Sequence, residues 1–431
     1  MKHALDHLLA LPEQHNQKDF VGITSVCSAN AMVIEASLLE AADNGGFVLI
    51  EATCNQANQD GGYTGMTPQD FRQFVAGIAA SVDFPLDSIL FGGDHLGPNP
   101  WRKLPASDAM AKACEMTAAY ARAGFSKIHL DASMACADDV NPLPPKTIAT
   151  RAAELAKVAD YAALAAGHLP PAYIIGTEVP VPGGASEELD LLEVTTSEDV
   201  SETMVLHQNA FAALGLEEAF ARSIGVVVQP GVEFGHANVI HFVPEKAGAL
   251  SKWRKEYARV VFEAHSTDYQ TPQALRALVT GGFAILKVGP GLTFALREAY
   301  YALDQIAGEI CEGYDAGTLP AKLEQIMLAQ PEYWQDYYTG TKAAQKIQRH
   351  YSYSDRIRYY WTNPEAVKAV DALFGALEGL QIPETLISQF MPCQYQSVAL
   401  GETPALAKDL ALASVRRALA PYSNACRNGL G

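Results

Sequence analysis

Positive charge is scarce in this chain. Against 49 Asp and Glu, its 431 residues carry 31 Lys and Arg, a formal net charge of −18. So acidic a surface repels polyanions and excludes nucleic acid or an anionic membrane as the main partner. An anionic small molecule stays open, because a few local Arg or Lys residues override the global field. Paired cysteines are lacking too. The seven Cys, at 27, 54, 114, 136, 311, 393 and 426, are odd in number, and none stands at metal-ligand or redox spacing from another. A reduced, cytoplasmic protein is expected. Residues 1–20 carry charges and His in place of the apolar core of a signal, and no apolar run nears membrane-spanning length. The glycine loop Gly61-Gly-Tyr-Thr-Gly65 has neither the Lys of a P-loop nor G-x-G-x-x-G spacing, and no other segment supplies either, so no nucleotide cofactor is expected.

What is present is a rhythm. Short apolar runs, at 20–26, 47–52, 89–92, 127–131, 173–178, 224–229, 260–264 and 284–288, alternate with longer helical patterns such as 70–82, 106–123 and 147–165. The runs are almost continuously apolar, as parallel strands covered by helices require. This predicts an α/β protein, a (β/α)8 TIM barrel, with a doubly wound open sheet as the alternative. After about residue 308 the rhythm stops, and helical patterns at 314–328, 363–380 and 404–420 surround a segment, 331–361, dense in Tyr and Trp. The expected division is a barrel over 1–308 and a helical extension over 309–431, packed on the barrel because no flexible linker separates them.

In such a barrel, chemistry gathers where strands end. Ile89-Leu-Phe-Gly-Gly-Asp-His-Leu-Gly-Pro98 runs from an apolar strand straight into an acid and an imidazole. His95, His265, Glu178 and Glu233 form the natural metal set, since imidazole and carboxylate suit zinc or a similar divalent ion; His236 is either a substitute ligand or a loop histidine. Asp94, Asp131 and Glu178 are candidate catalytic groups, with Asp131 equally able to cap the helix after its strand. Lys287 is a Schiff-base lysine, a core ion-pair partner or a phosphate contact. The backbone at Gly289, with Ser266 and Thr267, offers an anion site at a helix start. Arg356 and Arg358 suit a substrate phosphate, unless their aromatic segment anchors the extension or a subunit interface.

Several of these segments together resemble one family. They are Cys27-Ser, Glu51-Ala-Thr, Gly61-Gly-Tyr-Thr-Gly-Met-Thr-Pro68, Gly92-Gly-Asp-His-Leu-Gly-Pro98, Ile128-His-Leu-Asp-Ala-Ser133, Gly176-Thr-Glu-Val-Pro-Val-Pro-Gly-Gly184, Gln229-Pro-Gly-Val-Glu-Phe234, Glu263-Ala-His-Ser-Thr-Asp-Tyr-Gln-Thr-Pro272 and Tyr351-Ser-Tyr-Ser-Asp-Arg356. Over essentially the whole chain they resemble the GatZ/KbaZ family, whose members include the accessory, non-catalytic subunit of class II D-tagatose-1,6-bisphosphate aldolase. The resemblance implies a (β/α)8 barrel in galactitol, N-acetylgalactosamine or related sugar catabolism. It also implies a sugar-phosphate substrate, an oligomer, and a catalytic class II aldolase subunit as the partner that this chain stabilises or activates. Members also carry the label tagatose-6-phosphate kinase, which the missing nucleotide loop speaks against. Some relatives are metal-dependent epimerases of ketohexoses, their phosphates or uronates.

The barrel is also distantly similar to the catalytic class II aldolases, in which an Asp-His pair follows the third strand, Asp as proton carrier and His as zinc ligand. Asp94-His95 matches that pair, and Glu178 ahead of Gly183-Gly184 matches their Glu before a double glycine. The later motifs depart. Gln229-Pro-Gly-Val-Glu233 stands where those enzymes have His-Gly, and Glu263-Ala-His-Ser-Thr-Asp268 replaces their His-Gly-Gly-Ser-Gly. The resemblance therefore leaves His95, Glu233 and His265 to hold a metal. The leading expectation is an accessory aldolase subunit, and the alternative is a divalent-metal 4-epimerase of a ketohexose or ketose phosphate of the tagatose/fructose type.

Overall fold

The structure, a computed structural model, describes residues 4–44, 46–177 and 192–427. Eight strands close a parallel barrel: β1 (Ile23–Cys27), β2 (Val48–Thr53), β3 (Ile89–Leu96), β4 (Lys127–Leu130), β5 (Ala172–Ile175), β6 (Ser223–Val227), β9 (Val261–Ala264) and β10 (Ile285–Val288). Between β6 and β9 the chain forms a two-stranded antiparallel ribbon, β7 (Glu233–Phe234) with β8 (Val239–Ile240), which the sequence pattern does not announce. Because β1 pairs with both β2 and β10, the sheet has no edge and the open-sheet alternative falls. The helices form where local chemistry starts and stops them. Pro68–Ser81, for instance, opens on a Thr67/Asp70 capping box with Pro in its first turn.

Inside the barrel, alternate residues of each strand stack in layers of different chemistry. At the amino end Ile23, Leu49, Leu90, Ile174, Ile224, Val261 and Ile285 make an apolar floor. Leu5, Leu8 and Leu11 of the helix Ala4–Gln14 seal it from below, the three-residue spacing placing all of them on one helix face. One layer up the interior becomes ionic: Glu51, Lys127, Glu263 and Lys287 are all buried. Gly92 makes room for this layer, since a Cβ there would lie 2.4 Å from Glu51 Oε1.

After the long helix Pro290–Ile310 the extension adds Thr318–Ala329, Lys342–Tyr351, Pro364–Ala376, Glu384–Phe390, Pro392–Ala399 and Ala407–Cys426. The last of these returns to the barrel and packs on Ala31–Asp43, Pro272–Thr280 and Pro290–Ile310. Its Cys426 carbonyl accepts the Gly22 N–H at 2.9 Å, and its Tyr422 hydroxyl donates to the Thr267 carbonyl at 2.5 Å. The extension therefore braces the loop after β9 as well as the barrel wall. Among the described residues no helix is long and apolar enough to cross a membrane.

Candidate active site

β3 runs four residues beyond the expected run 89–92 and carries the Asp-His pair within the sheet. Strict alternation would send Asp94 and His95 to opposite faces. A register shift between Gly93 and Leu96 against β4, with His95 at φ 51°, turns both into the barrel mouth. Ser266, after β9, holds a second left-handed backbone at φ 53°. Such backbones cost energy and are kept where the surroundings hold them, often at functional sites.

Three imidazoles meet above the ionic layer. The ring centroids of His95, His129 and His265 lie 4.9–5.2 Å apart. Each ring has a carboxylate on one nitrogen. His95 Nδ1 is 2.8 Å from Asp131 Oδ2, His129 Nδ1 is 3.0 Å from Asp94 Oδ1, and His265 Nε2 is 3.0 Å from Glu263 Oε1. This is the arrangement by which metal-site histidines are oriented from behind. Of the second nitrogens, His95 Nε2 lies 3.6 Å from Asp94 Oδ2, and His129 Nε2 is buried with no hydrogen-bond partner. One ligand atom from each of Asp94, His95, His129 and His265 lies within 4.8 Å of the others.

Charge points the same way. Lys127 Nζ lies 2.5 Å from Glu51 Oε1 and 2.7 Å from Glu263 Oε2, and Lys287 Nζ lies 2.7 Å from Asp94 Oδ1 and also pairs with Glu51. Burial disfavours every charge here. Even so, His95 and Lys287 hold the Asp94 carboxyl well below its usual range, and Lys127 and Lys287 do the same for Glu263. Burial likewise opposes the Lys287 ammonium, but Asp94 and its neighbours outweigh it and raise the pKa well above the ordinary value. His265 is pushed by burial down to about 3, so it is a neutral ring with a lone pair to offer. Burial opposes a charged His95 ring, but Asp94 and Asp131 outweigh it and raise its pKa. The two ammonium groups face four carboxylates, those of Glu51, Asp94, Asp131 and Glu263, so acidic groups are in excess in a buried space. Nitrogen-rich donors, an orphaned ring nitrogen and that excess fit a divalent cation, which His95, His129 and His265 would hold with the Asp94 carboxylate beside it.

The other expected residues are placed as follows. Asp131 binds His95 and, through Oδ1, the amide and hydroxyl of Ser133 at 3.1 and 2.6 Å. Glu233 lies outside the histidine group. It accepts the Phe234 N–H at 2.9 Å, and burial pushes its carboxyl up to about 7. His236 spends both ring nitrogens as a strut, on Ser354 Oγ and on the Tyr337 carbonyl, each at 3.1 Å. Thr267 is fully buried and donates to the Lys287 carbonyl. Arg356 donates to the Tyr333 carbonyl and stacks on Tyr337, 3.3 Å from the ring centre, away from the pocket. Arg358, Ser266, Lys287 and Gly289 line the pocket over the histidines. Glu178 lies outside the described residues. The sequence reading does not single out His129 or Lys127, although their signal is there: 127, 129 and 131 alternate onto one face.

Glu233 makes a pH prediction. An unfolded Glu titrates near 4.5, so between about 4.5 and 7 the folded chain keeps a proton that the unfolded chain has lost. The stability contribution is full below about 4.5 and lost as pH rises through 7. Glu233→Gln is expected to match the wild type at pH 4.5 and exceed it at pH 8, read from urea midpoints; an equal difference at both pH values contradicts this.

Comparison with known proteins now adds a second line of observation. A family profile described as D-tagatose-1,6-bisphosphate aldolase subunit GatZ/KbaZ-like matches residues 8–427. A D-tagatose 6-phosphate 4-epimerase of Agrobacterium fabrum is 52% identical over 408 residues, 95% of each chain. The D-tagatose-1,6-bisphosphate aldolase subunit GatZ of Salmonella dublin is 49% identical over 413 residues, covering 96% of this chain and 97% of the relative. Among solved structures, a "probable tagatose 6 phosphate kinase" from Sinorhizobium meliloti 1021 superposes with a TM-score of 0.88 at 54% identity, covering 94% of this chain and all of that one.

Proposed function

This chain belongs to the GatZ/KbaZ-like family of D-tagatose-1,6-bisphosphate aldolase subunits, and from that premise we propose that it has an active site of its own, which epimerises a ketohexose phosphate at C4. The observation that carries this reading is the buried group of three histidines and Asp94 opening into a pocket that also holds Lys287 and Arg358. Desolvated charges gathered at a pocket floor are costly and mark a functional site. The 52% identical relative named as a tagatose 6-phosphate 4-epimerase supports the same reading.

The chemistry follows from the substrate. In a 2-ketohexose the C4 hydrogen is β to the carbonyl and not acidic, so inversion at C4 by simple deprotonation is closed. Breaking C3–C4 opens it. Asp94 takes the proton of the C4 hydroxyl, the C3–C4 pair moves into an enediolate of the three-carbon ketone, and C4 becomes an aldehyde. Rotation of the aldehyde presents its other face, the bond re-forms, and Asp94 returns the proton to the C4 oxygen. The Lys287 ammonium stabilises the enediolate electrostatically, Asp131 and Glu263 fix the His95 and His265 rings, and Arg358 binds the phosphate. A divalent ion at the imidazoles, zinc being the one this donor set suits, would polarise the C2 and C3 oxygens. D-tagatose 6-phosphate and D-fructose 6-phosphate would interconvert.

The stabilising subunit of a class II D-tagatose-1,6-bisphosphate aldolase is the second reading, favoured by the GatZ relatives at 49% identity along nearly the full chain. It requires the catalytic class II subunit as a partner. Seven free cysteines suit either role in the reducing cytoplasm. The test uses the purified chain alone, with zinc or manganese, incubated with either hexose 6-phosphate and followed by 13C NMR. Appearance of the C4 epimer, abolished by chelation and restored by metal, is expected. No turnover with any divalent ion, together with raised activity and heat resistance of a co-expressed catalytic aldolase subunit, would assign the second role instead.

A further inference from the structure

The helix Pro290–Ile310 begins under the pocket with the amides of Gly289 and Gly291 pointing outward, a place disposed to take an anion such as a substrate phosphate. In the structure that place is taken. Asp268 Oδ1 accepts both amides, at 3.0 Å from Gly289 N and 2.7 Å from Gly291 N. Gly291 allows the approach, since a Cβ there would lie 3.0 Å from the same oxygen. Asp268 is buried and lines the pocket beside Ser266 and Gly289. Among the described residues it has no ion-pair partner, and burial pushes its carboxyl up to about 6, which leaves it mostly ionised at neutral pH.

The pocket's cations are unequally committed. Lys287 already faces the carboxylates of Glu51, Asp94 and Glu263. Arg358 donates only to neutral oxygens among the described residues: the Ser354 and Asp355 carbonyls through Nη1, and the Tyr359 hydroxyl at 2.9 Å through Nη2. No carboxylate hydrogen-bonds it, although its charge is felt by the buried carboxyls of Asp355 and Asp268, and its place in the pocket lining lets it meet a ligand. The pocket thus has a cationic side at Arg358 and, at the amides where a second anion would be expected, a carboxylate of its own.

We propose that Asp268 is a built-in anion that fixes the charge pattern of the substrate: the site takes a ketose bearing one anionic group, bound at Arg358, and rejects a second phosphate at C1. This rests on the ketose-phosphate reading above and sharpens it. Asp268 accepts a hydrogen bond from a C1 hydroxyl, and a C1 phosphate meets both a like charge and occupied amides. C3–C4 cleavage in this site then leaves an unphosphorylated three-carbon enediolate. That separates the reaction of this pocket from cleavage of a 1,6-bisphosphate.

The test is calorimetric binding of a hexitol monophosphate and a hexitol 1,6-bisphosphate to the full chain; both lack the carbonyl and cannot react. The wild type is expected to prefer the monophosphate at least tenfold. Asp268→Ser, which vacates the amides, is expected to shift that ratio at least tenfold towards the bisphosphate and to gain binding of inorganic phosphate. Asp268→Asn, isosteric and uncharged, should fall between them and carries the test if the serine variant fails to fold. Equal binding of both hexitols by the wild type, or a ratio unchanged in both folded variants, overturns the proposal. If the wild type binds neither hexitol while Asp268→Ser gains inorganic phosphate, the ketose-phosphate reading falls and Asp268 stands as the internal anion.

Discussion

Alanine at His129 is expected to abolish turnover, by at least ~1000-fold in kcat, and to weaken divalent-ion binding by at least ~100-fold, while leaving the metal-free chain folded. His129 is the interior member of the histidine group. Its Nδ1 is tied to Asp94, and its Nε2 is buried with nothing to bond. An unpartnered buried nitrogen costs roughly 1–3 kcal/mol, so removing the ring relieves one penalty while it opens a small cavity. The two effects oppose each other, and the unfolding midpoint of the metal-free protein should move little. The holo state behaves differently. A ligand bound only to the folded chain stabilises it by RT ln(1 + [L]/Kd). Added zinc or manganese should therefore raise the melting temperature of the wild type but not of His129→Ala. Elemental analysis after dialysis and melting curves with and without metal read both halves. A variant that keeps its full metal content, or melts as the loaded wild type does, would remove His129 from the site.

The second large effect is on stability and centres on Lys127. This residue is 0% exposed and sits between Glu51 and Glu263 in the middle of the barrel. Lys127→Met keeps the length and removes the charge. It leaves two carboxylates with Lys287 as their remaining cationic neighbour in the layer. Breaking one side of a buried ion pair costs about 3–5 kcal/mol, because the partner is stranded in low dielectric. The expected result is a loss of that size in urea unfolding. The double variant Lys127→Met with Glu263→Gln should recover part of it, since it removes a stranded charge along with its partner. A single variant within about 1 kcal/mol of the wild type would mean that water or a proton neutralises the layer. Lys127 does not line the pocket, so its effect on turnover would pass through the aim of Glu51 and Glu263.

How far the site could be read in the primary structure differs residue by residue. Asp94, His95, His265 and Lys287 end apolar strands, and their positions alone suggest a barrel mouth; the structure brings all four into one pocket. His129 is equally placed by alternation with Lys127 and Asp131. It is easily passed over because it lies inside a strand, where a histidine reads as core. Glu233 and Arg356 carry the right chemistry in the right segments, but a short ribbon and a stack on Tyr337 hold them elsewhere. Gly289 is an anion site in its local pattern. Only the fold shows that Asp268, twenty-one residues earlier, has already filled it.

The sequence by itself determined the architecture. Eight continuously apolar runs spaced by amphipathic helices can bury their faces only as a parallel sheet covered by helices, and the motif chemistry at the run ends identified the family. Tertiary structure decided the site. A shift in register, rather than the alternation of the strand, turns Asp94 and His95 inward together. The extension, which begins more than two hundred residues past the third strand, delivers Arg358 to the same pocket. Periodicity is a local property and survives in the one-dimensional string. The sharing of buried space by charges from β2, β3, β4, β9 and β10 exists only once the barrel has closed and excluded water from between them.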